Sequence, residues 1–368
     1  MEKRSSGPHG LWGSQRVRVS LLLSVVCVAF LTLSWPRQGR SNAEWVTQGI
    51  APWTPPPSYV TIERGGRTGN RFWYSVNGKR TLFIGMGYNA IYRYLSDEQR
   101  EANYRRDFKL LCQAGVNHIT GWDRDKGYDQ DVFDEMTLDL AYEFGIGVVV
   151  PIFMDPDADY RDETFVETLR TAAQAKVERF RNHPAVRMWG LGNEVLTELP
   201  RDVRAKFGRV YLEIADLVHQ LDPNHPVIYR EAEVLFVPGI RLALESSGTP
   251  RPWLLYGMNV YSLELERFLD EWPGLGLDRP LFVTEFGAEP DWAGGRATGY
   301  VNMWRSIRAH PRRVLGGAPY VWTTEGPEPV DKKWGLVDGN SQPVDDTFHQ
   351  LAQEWSLEQV NEGRTCPA

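Results

Sequence analysis

Eight short apolar segments recur between residues 82 and 323, and the stretches between them carry apolar residues at helical spacing. The segments are "LFIGMGY" (82–88), "HIT" (118–120), "IGVVVPIF" (146–153), "VRMWGLG" (186–192), "PVIYRE" (226–231), "LLYGMNVY" (254–261), "LFVTEFG" (281–287) and "APYVWT" (318–323). Between them, "EANYRRDFKLLCQAG" ends in Gly115, a helix-stop residue, while "ETFVETLRTAAQAKVERFRN" and "RDVRAKFGRVYLEIADLVHQL" repeat at three-four spacing. Eight strand-helix units without a break in composition favour a closed (β/α)8 barrel over an open doubly wound sheet. In such a barrel the residues that do chemistry stand at the C-terminal ends of the strands.

The remainder of the chain divides around this barrel, assigned to residues 81–356, with a C-terminal tail at 357–368. Residues 1–18 are basic, with Lys3, Arg4, Arg16 and Arg18, and precede the uncharged apolar run "VSLLLSVVCVAFLTLSW" at 19–35. Seventeen residues is short for a membrane span and long for a signal-peptide core. The run reads as an uncleaved anchor, with a cleaved signal peptide as the alternative. Its basic flank places the N-terminus in the cytoplasm and the rest of the chain beyond the membrane. Residues 36–58 form a tether in which "APWTPPPS" excludes helix and central strand. Residues 59–80 read as a β-hairpin, since "NGK" supplies an Asn-Gly turn.

Composition excludes more than it assigns. A formal net charge of -7 disfavours a nucleic-acid partner. No CxxC or HExxH spacing is present and the seven histidines are scattered, so neither a metal nor a cofactor is expected. Three cysteines are too few for a disulfide scaffold; a Cys112–Cys366 bridge is one arrangement, and free thiols are the expectation. "GMGYNA" (85–90) matches G-x-G-x-x-A after a strand, but no acidic residue closes a second strand about 20 residues on, which argues against a dinucleotide site. No GxSxG elbow marks a serine hydrolase.

Two strands end on carboxylates. The fourth runs into Gly192, Asn193 and Glu194, and the seventh into Thr284, Glu285, Phe286 and Gly287. A single glutamate at a strand end is ordinarily a cap, an ion-pair partner or a solvated charge. Two, on strands roughly opposite each other in an eight-strand ring, can face across its mouth. Glycoside cleavage uses such a pair, one carboxyl protonating the leaving oxygen and the other attacking the anomeric carbon.

"NHPAVRMWGLGNE", "LFVTEFG" and "WGLVDGNSQPVDDTF" resemble the catalytic barrel of glycoside hydrolase family 2, within the larger clan that holds cellulase-like and β-mannanase-like enzymes. The likeness spans about residues 72–355 and implies a retaining β-glycosidase acting on an oligosaccharide or polysaccharide, or a transglycosidase on the same scaffold. It implies that Glu194 is the general acid/base, Asn193 holds the sugar 2-hydroxyl, Glu285 is the nucleophile, Tyr261 hydrogen-bonds that nucleophile, and Trp322 is the aromatic floor beneath the sugar. Glu285 must be ionised to attack, so donors such as Tyr261 are expected to keep its pKa low. Glu194 must carry a proton, which the nearby charge of Glu285 favours.

The chain departs from the pattern twice. Where the clan often has an arginine at the end of the second strand, "NHITGWD" places Thr120 and Gly121, leaving Arg230 on the fifth strand as a candidate replacement. A tether and a hairpin, rather than β-sandwich domains, stand before the barrel. Further strand-end residues that can meet a sugar are Tyr88, Asn89, Trp122, Asp123, Asp155, Glu231 and Glu325, with Trp122 and Asp123 foremost. Trp292 lies in a glycine-bearing loop that can act as a lid. Asp155 precedes a proline and equally suits a turn. Trp189 reads as barrel core. Two rival readings are a barrel that binds carbohydrate without cleaving it and a structural envelope protein that serves as a partner platform.

Overall fold

The computed structural model describes residues 55–367 apart from 68, 89–91, 93, 123–132, 233–240, 242–245, 276–278, 324–332 and 360–365. Three antiparallel strands come first: β1 (Val60–Gly65), β2 (Arg71–Val76) and β3 (Lys79–Thr81). The expected hairpin is therefore a three-stranded meander, because both the glycine-rich break and the Asn-Gly turn reverse the chain. Asn77 and Gly78 have φ of 50° and 76°, as that tight turn requires.

Eight parallel strands then close into a barrel. They are β4 (Phe83–Gly87), β5 (His118–Thr120), β6 (Gly147–Ile152), β7 (Val186–Leu191), β8 (Val227–Ala232), β9 (Leu254–Val260), β10 (Leu281–Phe286) and β11 (Val314–Pro319). Helices α1 (Asp97–Ala114), α2 (Glu135–Glu143), α3 (Glu163–Phe180), α4 (Val195–Glu198), α5 (Arg201–Leu221), α6 (Leu265–Glu271), α7 (Gly295–Ala309) and α8 (Thr347–Gln359) run outside it. Helix α1 opens with a capping box from Ser96 and Gln99 and stops at Gly115, whose φ of 104° is left-handed.

One strand differs from expectation. The eighth barrel strand is "VLGGAP" at 314–319, four residues ahead of the segment assigned from sequence. Gly316 explains the difference. Its φ is 138°, and a Cβ there would lie 1.9 Å from the Phe83 carbonyl oxygen, so only glycine lets β11 close against β4.

The barrel has two apolar compartments. The larger lies between strands and helices and includes Trp189, whose Nε1 donates to Asp222 at 2.8 Å. The smaller fills the barrel itself, with Phe83, Val149, Met188, Ile228, Leu255, Phe282 and Leu315 from the strands and Val60, Phe72 and Tyr74 from the leading sheet. That sheet stoppers the N-terminal end. Val60 N donates to Asn224 O and Phe72 N to Arg312 O, both in segments that lead into barrel strands. Ser58 Oγ reaches Val186 O at 2.5 Å and His225 Nε2 at 2.9 Å, and His225 Nδ1 meets Asp222 Oδ2 at 2.7 Å. All three side chains are buried, which makes this Ser-His-Asp array a clamp on the incoming chain.

Cys112 and Cys366 are not free thiols. They form a disulfide with Cα atoms 5.8 Å apart, joining α1 to a residue 254 positions later. The apolar run at 19–35 lies outside the described residues, and among the described residues no helix is long and apolar enough to cross a membrane.

Candidate active site

The two glutamates come to the C-terminal mouth by different local devices. Glu194 follows β7 after Gly192, and both residues are left-handed, with φ of 52° and 68°. This turn lets Glu194 N reach Arg230 O at 3.2 Å before α4 begins. A non-glycine residue held in this conformation is uncommon and concentrates at functional sites.

Glu285 is turned inward by a bulge. On β9 and β10, Phe282 pairs with Gly257, but Glu285 pairs with Asn259, so β10 carries one extra residue between them. The same extra residue appears against β11, where Val283 pairs with Gly317 and Phe286 with Pro319. Strict alternation from Phe282 would put only Thr284 inward. The bulge lets Thr284 and Glu285 both serve the mouth.

The tip of β9 holds both carboxylates. Asn259 Nδ2 donates to Glu194 Oε1 at 2.9 Å and to Asn193 Oδ1 at 3.2 Å, while its own Oδ1 accepts from Thr284 Oγ1 at 2.8 Å. Two residues on, Tyr261 Oη donates to Glu285 Oε2 at 2.5 Å. Residues i and i+2 share a face of a strand, so these anchors stand about 6.6 Å apart along it. Glu285 Oε1 is buried and accepts no hydrogen bond among the described residues.

Burial, followed by the negative charge of Glu194, pushes the Glu285 carboxyl up from its usual range to about 8. Tyr261 and Arg230 work against this. The Trp122 indole N–H acts in the same direction from nearby, without closing to a hydrogen bond of normal geometry. The expectation of a low pKa at Glu285 is therefore overturned. The tyrosine is present, but a dry site and a second carboxylate outweigh it. A charge on Glu194 thus favours the protonated form of Glu285.

The aromatic wall also differs from expectation. Trp122, Trp334 and Val321 form a small buried cluster against which Tyr261 and Tyr320 pack. Tyr320 lies edge-on to Trp122 at 5.2 Å and to Tyr261 at 5.9 Å between centroids, and Trp334 is 4.9 Å from Tyr261. Trp322 belongs to the outer core instead, 1% exposed and edge-on to Phe348 of α8. Tyr320, the first residue after β11, is instead the one that packs on Trp122 and on the Tyr261 that holds Glu285.

Several strand-end candidates are accounted for elsewhere. Glu231 faces the helices and accepts from Tyr229 Oη, Thr197 Oγ1, Leu196 N and Ala232 N, so it braces α4. Asp155 accepts from Asp157 N at 2.8 Å, a turn. Tyr88 Oη donates to the buried Asp107 of α1 at 2.9 Å. Trp292 packs on Gly299 of α7. Asn89, Asp123 and Glu325 lie outside the described residues. The sequence reading passed over Asn259, Tyr320 and Trp334. Asn259 had a signal, since it stands two residues before Tyr261 in "MNVY" and so shares its face.

Comparison with known proteins identifies the frame. Residues 73–311, more than half of the chain, match the family described as "Glycosyl hydrolases family 2, TIM barrel domain". The chain belongs to glycosyl hydrolase family 2. A β-galactosidase of Vibrio cholerae is 24% identical over 272 residues, which cover 71% of this chain and 24% of that protein. A β-glucuronidase of Paenibacillus borealis is 29% identical over 170 residues, 43% of this chain and 26% of that protein. The chain thus spans about a quarter of these family 2 relatives. The solved β-glucuronidase of Bacteroides uniformis superposes with a TM-score of 0.61 at 15% identity, covering 81% of this chain and 37% of that one. The β-galacturonidase of Eisenbergiella tayi superposes at 0.60 and 19% identity, covering 81% and 54%. These structures share the family 2 barrel fold.

Proposed function

We propose that the chain is a retaining β-glycosidase acting on an extracytoplasmic glycan. The observation that carries this reading is the pair of carboxylates held from one strand tip, Glu194 by Asn259 and Glu285 by Tyr261. Membership of family 2 supports it, as do the relatives named for cleaving β-galactosides and β-glucuronides.

The chemistry follows from the site. In the reactive form Glu194 carries a proton and Glu285 is ionised. Glu194 gives its proton to the glycosidic oxygen as Glu285 attacks the anomeric carbon, so the C–O bond breaks and an ester to Glu285 forms. With the Glu285 charge consumed, Glu194 accepts a proton from water, whose oxygen attacks the same carbon and releases Glu285. A sugar hydroxyl in place of that water turns the site into a transglycosidase. We assign Asn193, which accepts from Asn259, to the sugar 2-hydroxyl, and the cluster of Trp122 and Trp334 with Tyr320 packed on it supports an aromatic wall for a sugar ring.

The disulfide supports a location beyond the membrane, because such bonds persist in oxidising compartments. The basic, apolar N-terminal segment supports a membrane-anchored enzyme with an extracytoplasmic barrel, or a secreted one if that segment is cleaved.

A panel of 2-fluoro glycosides with good leaving groups tests the reading. Intact mass and peptide mapping should find an adduct on Glu285, and the sugar that labels names the specificity. Glu194→Gln should still label with an activated leaving group but turn over slowly, and Glu285→Gln should not label. No adduct from any sugar, with natural oligosaccharides left intact, would return the chain to the rival of a non-cleaving carbohydrate binder.

A further inference from the structure

The fifth barrel strand carries a buried cation whose path is cut through its neighbours. Arg230 is 1% exposed on β8, and its Cα partner on β9 is Gly257. A Cβ on Gly257 would lie 3.1 Å from Arg230 Cγ, and one on Gly190 of β7 would lie 3.0 Å from Arg230 Cζ. Glycines on both flanking strands therefore open a slot for this side chain. The guanidinium passes through it and ends on the far strand, with Nη1 donating to Thr120 Oγ1 at 3.2 Å and Gly121 O at 2.9 Å. Nε donates to Gly192 O at 3.1 Å and Nη2 to Gly190 O at 3.4 Å. Its contacts thus tie the chain just ahead of Glu194 to the chain just ahead of Trp122, whose ring lies 6.0 Å from Cζ.

We infer that Arg230 is a positioning residue for the reaction, entering from the fifth barrel strand to set positive charge beside Glu285 and to fix the strand ends that carry Trp122 and Glu194. The inference rests on the glycosidase reading for its kinetic test, but the geometry stands without it. Thr120 and Gly121, where an arginine was expected from the family likeness, become the acceptors of an arginine arriving from across the barrel. The groups that act on the Glu285 charge are Glu194 after β7, Tyr261 after β9, Arg230 on β8 and Trp122 after β5. Of these, Arg230 alone is cationic. Its charge also acts on Tyr211 of α5.

The test uses the full chain with Arg230→Met, Arg230→Lys and Gly190→Ala. Arg230→Met should move the acid limb of kcat/KM to higher pH by about one unit or more, as loss of a neighbouring opposite charge requires. Arg230→Lys, which keeps the charge but loses the fork, should recover part of the shift. Gly190→Ala adds one methyl against the guanidinium and should move the limb the same way by less. A brace with no electrostatic part would lower kcat at all pH values and leave the limb in place.

A second readout needs no substrate. In pH-difference infrared spectra, the carboxylic C=O band that disappears in Glu285→Gln should titrate at higher pH in Arg230→Met than in the parent. If no glycoside is turned over but this band shifts, the glycosidase reading fails and the role of Arg230 survives. If Arg230→Lys and Gly190→Ala fold and neither the limb nor the band moves in any folded variant, the inference is overturned.

Discussion

Asn259 and Glu194 are joined by a 2.9 Å hydrogen bond from Nδ2 to Oε1, although they lie 65 residues apart, one on β9 and the other after β7. The same asparagine is the register partner of Glu285. One amide thus fixes the proposed acid while standing level with the proposed nucleophile. Asn259→Ala should lower kcat/KM about 10- to 100-fold for glycosides with poor leaving groups, the scale of one hydrogen bond to a charged group. Glycosides whose leaving groups need no proton should lose much less in glycosylation. Equal losses across a leaving-group series would show that Asn259 does not act through Glu194.

Tyr320 rather than Trp322 should carry the contact with the sugar. Tyr320→Ala is expected to raise KM roughly tenfold, from loss of about 1–2 kcal/mol of apolar contact. Trp322→Phe should leave KM unchanged and lower the melting temperature, since its ring packs on Phe348 in the outer core. Steady-state kinetics beside thermal scans separates the two. A KM change from Trp322 alone would reverse the assignment.

The raised Glu285 pKa has a consequence for stability. Its native value is about 8 against a usual 4.5, so between those pH values the native state holds a proton that the unfolded chain has released. With more protons bound in the native state, stability must fall as pH rises through that window. Glu285→Gln removes the dependence. The variant should match the parent near pH 4 and melt at a higher temperature at about pH 9. Parallel melting curves across the range would mean that burial does not hold the proton there.

The Cys112–Cys366 bond closes a loop of 254 residues. Cys366→Ser should cost about 2–4 kcal/mol of stability, and reductant should produce the same loss in the parent but none in the variant. The Glu194–Glu285 site lies at the other end of the barrel from the C-terminus of α1, so turnover below the melting transition should be unaffected. A variant that loses turnover while still folded would tie this bond to the mouth.

Most of the barrel was legible because its strands are apolar runs of strand length and its helices keep their period. The glutamates were legible because charge at the end of an apolar run is conspicuous. What was missed depends on contacts between distant segments. The eighth strand was assigned from Ala318, past the two glycines of "VLGGAP", yet Gly316 is there for the backbone of β4. The aromatic floor was assigned to Trp322 from the family likeness, whereas Tyr320 is the residue that packs on Trp122 and Tyr261. The bulge in β10 has no local signature, and without it strict alternation favours Thr284 over Glu285. The low pKa expected for Glu285 came from counting donors, when desolvation and Glu194 weigh more. The disulfide partners lie too far apart in sequence for spacing to pair them.

The stopper at the N-terminal end has a mechanical meaning. Ser58 is fastened to Val186 and His225, and the strands that follow are sewn to Asn224 and Arg312. Tension applied to the chain ahead of residue 58 is borne there, by the pole of the barrel opposite Glu194 and Glu285. Val186 is the first residue of β7 and Glu194 follows its last, so a pull on residue 58 enters that strand at the end away from the mouth.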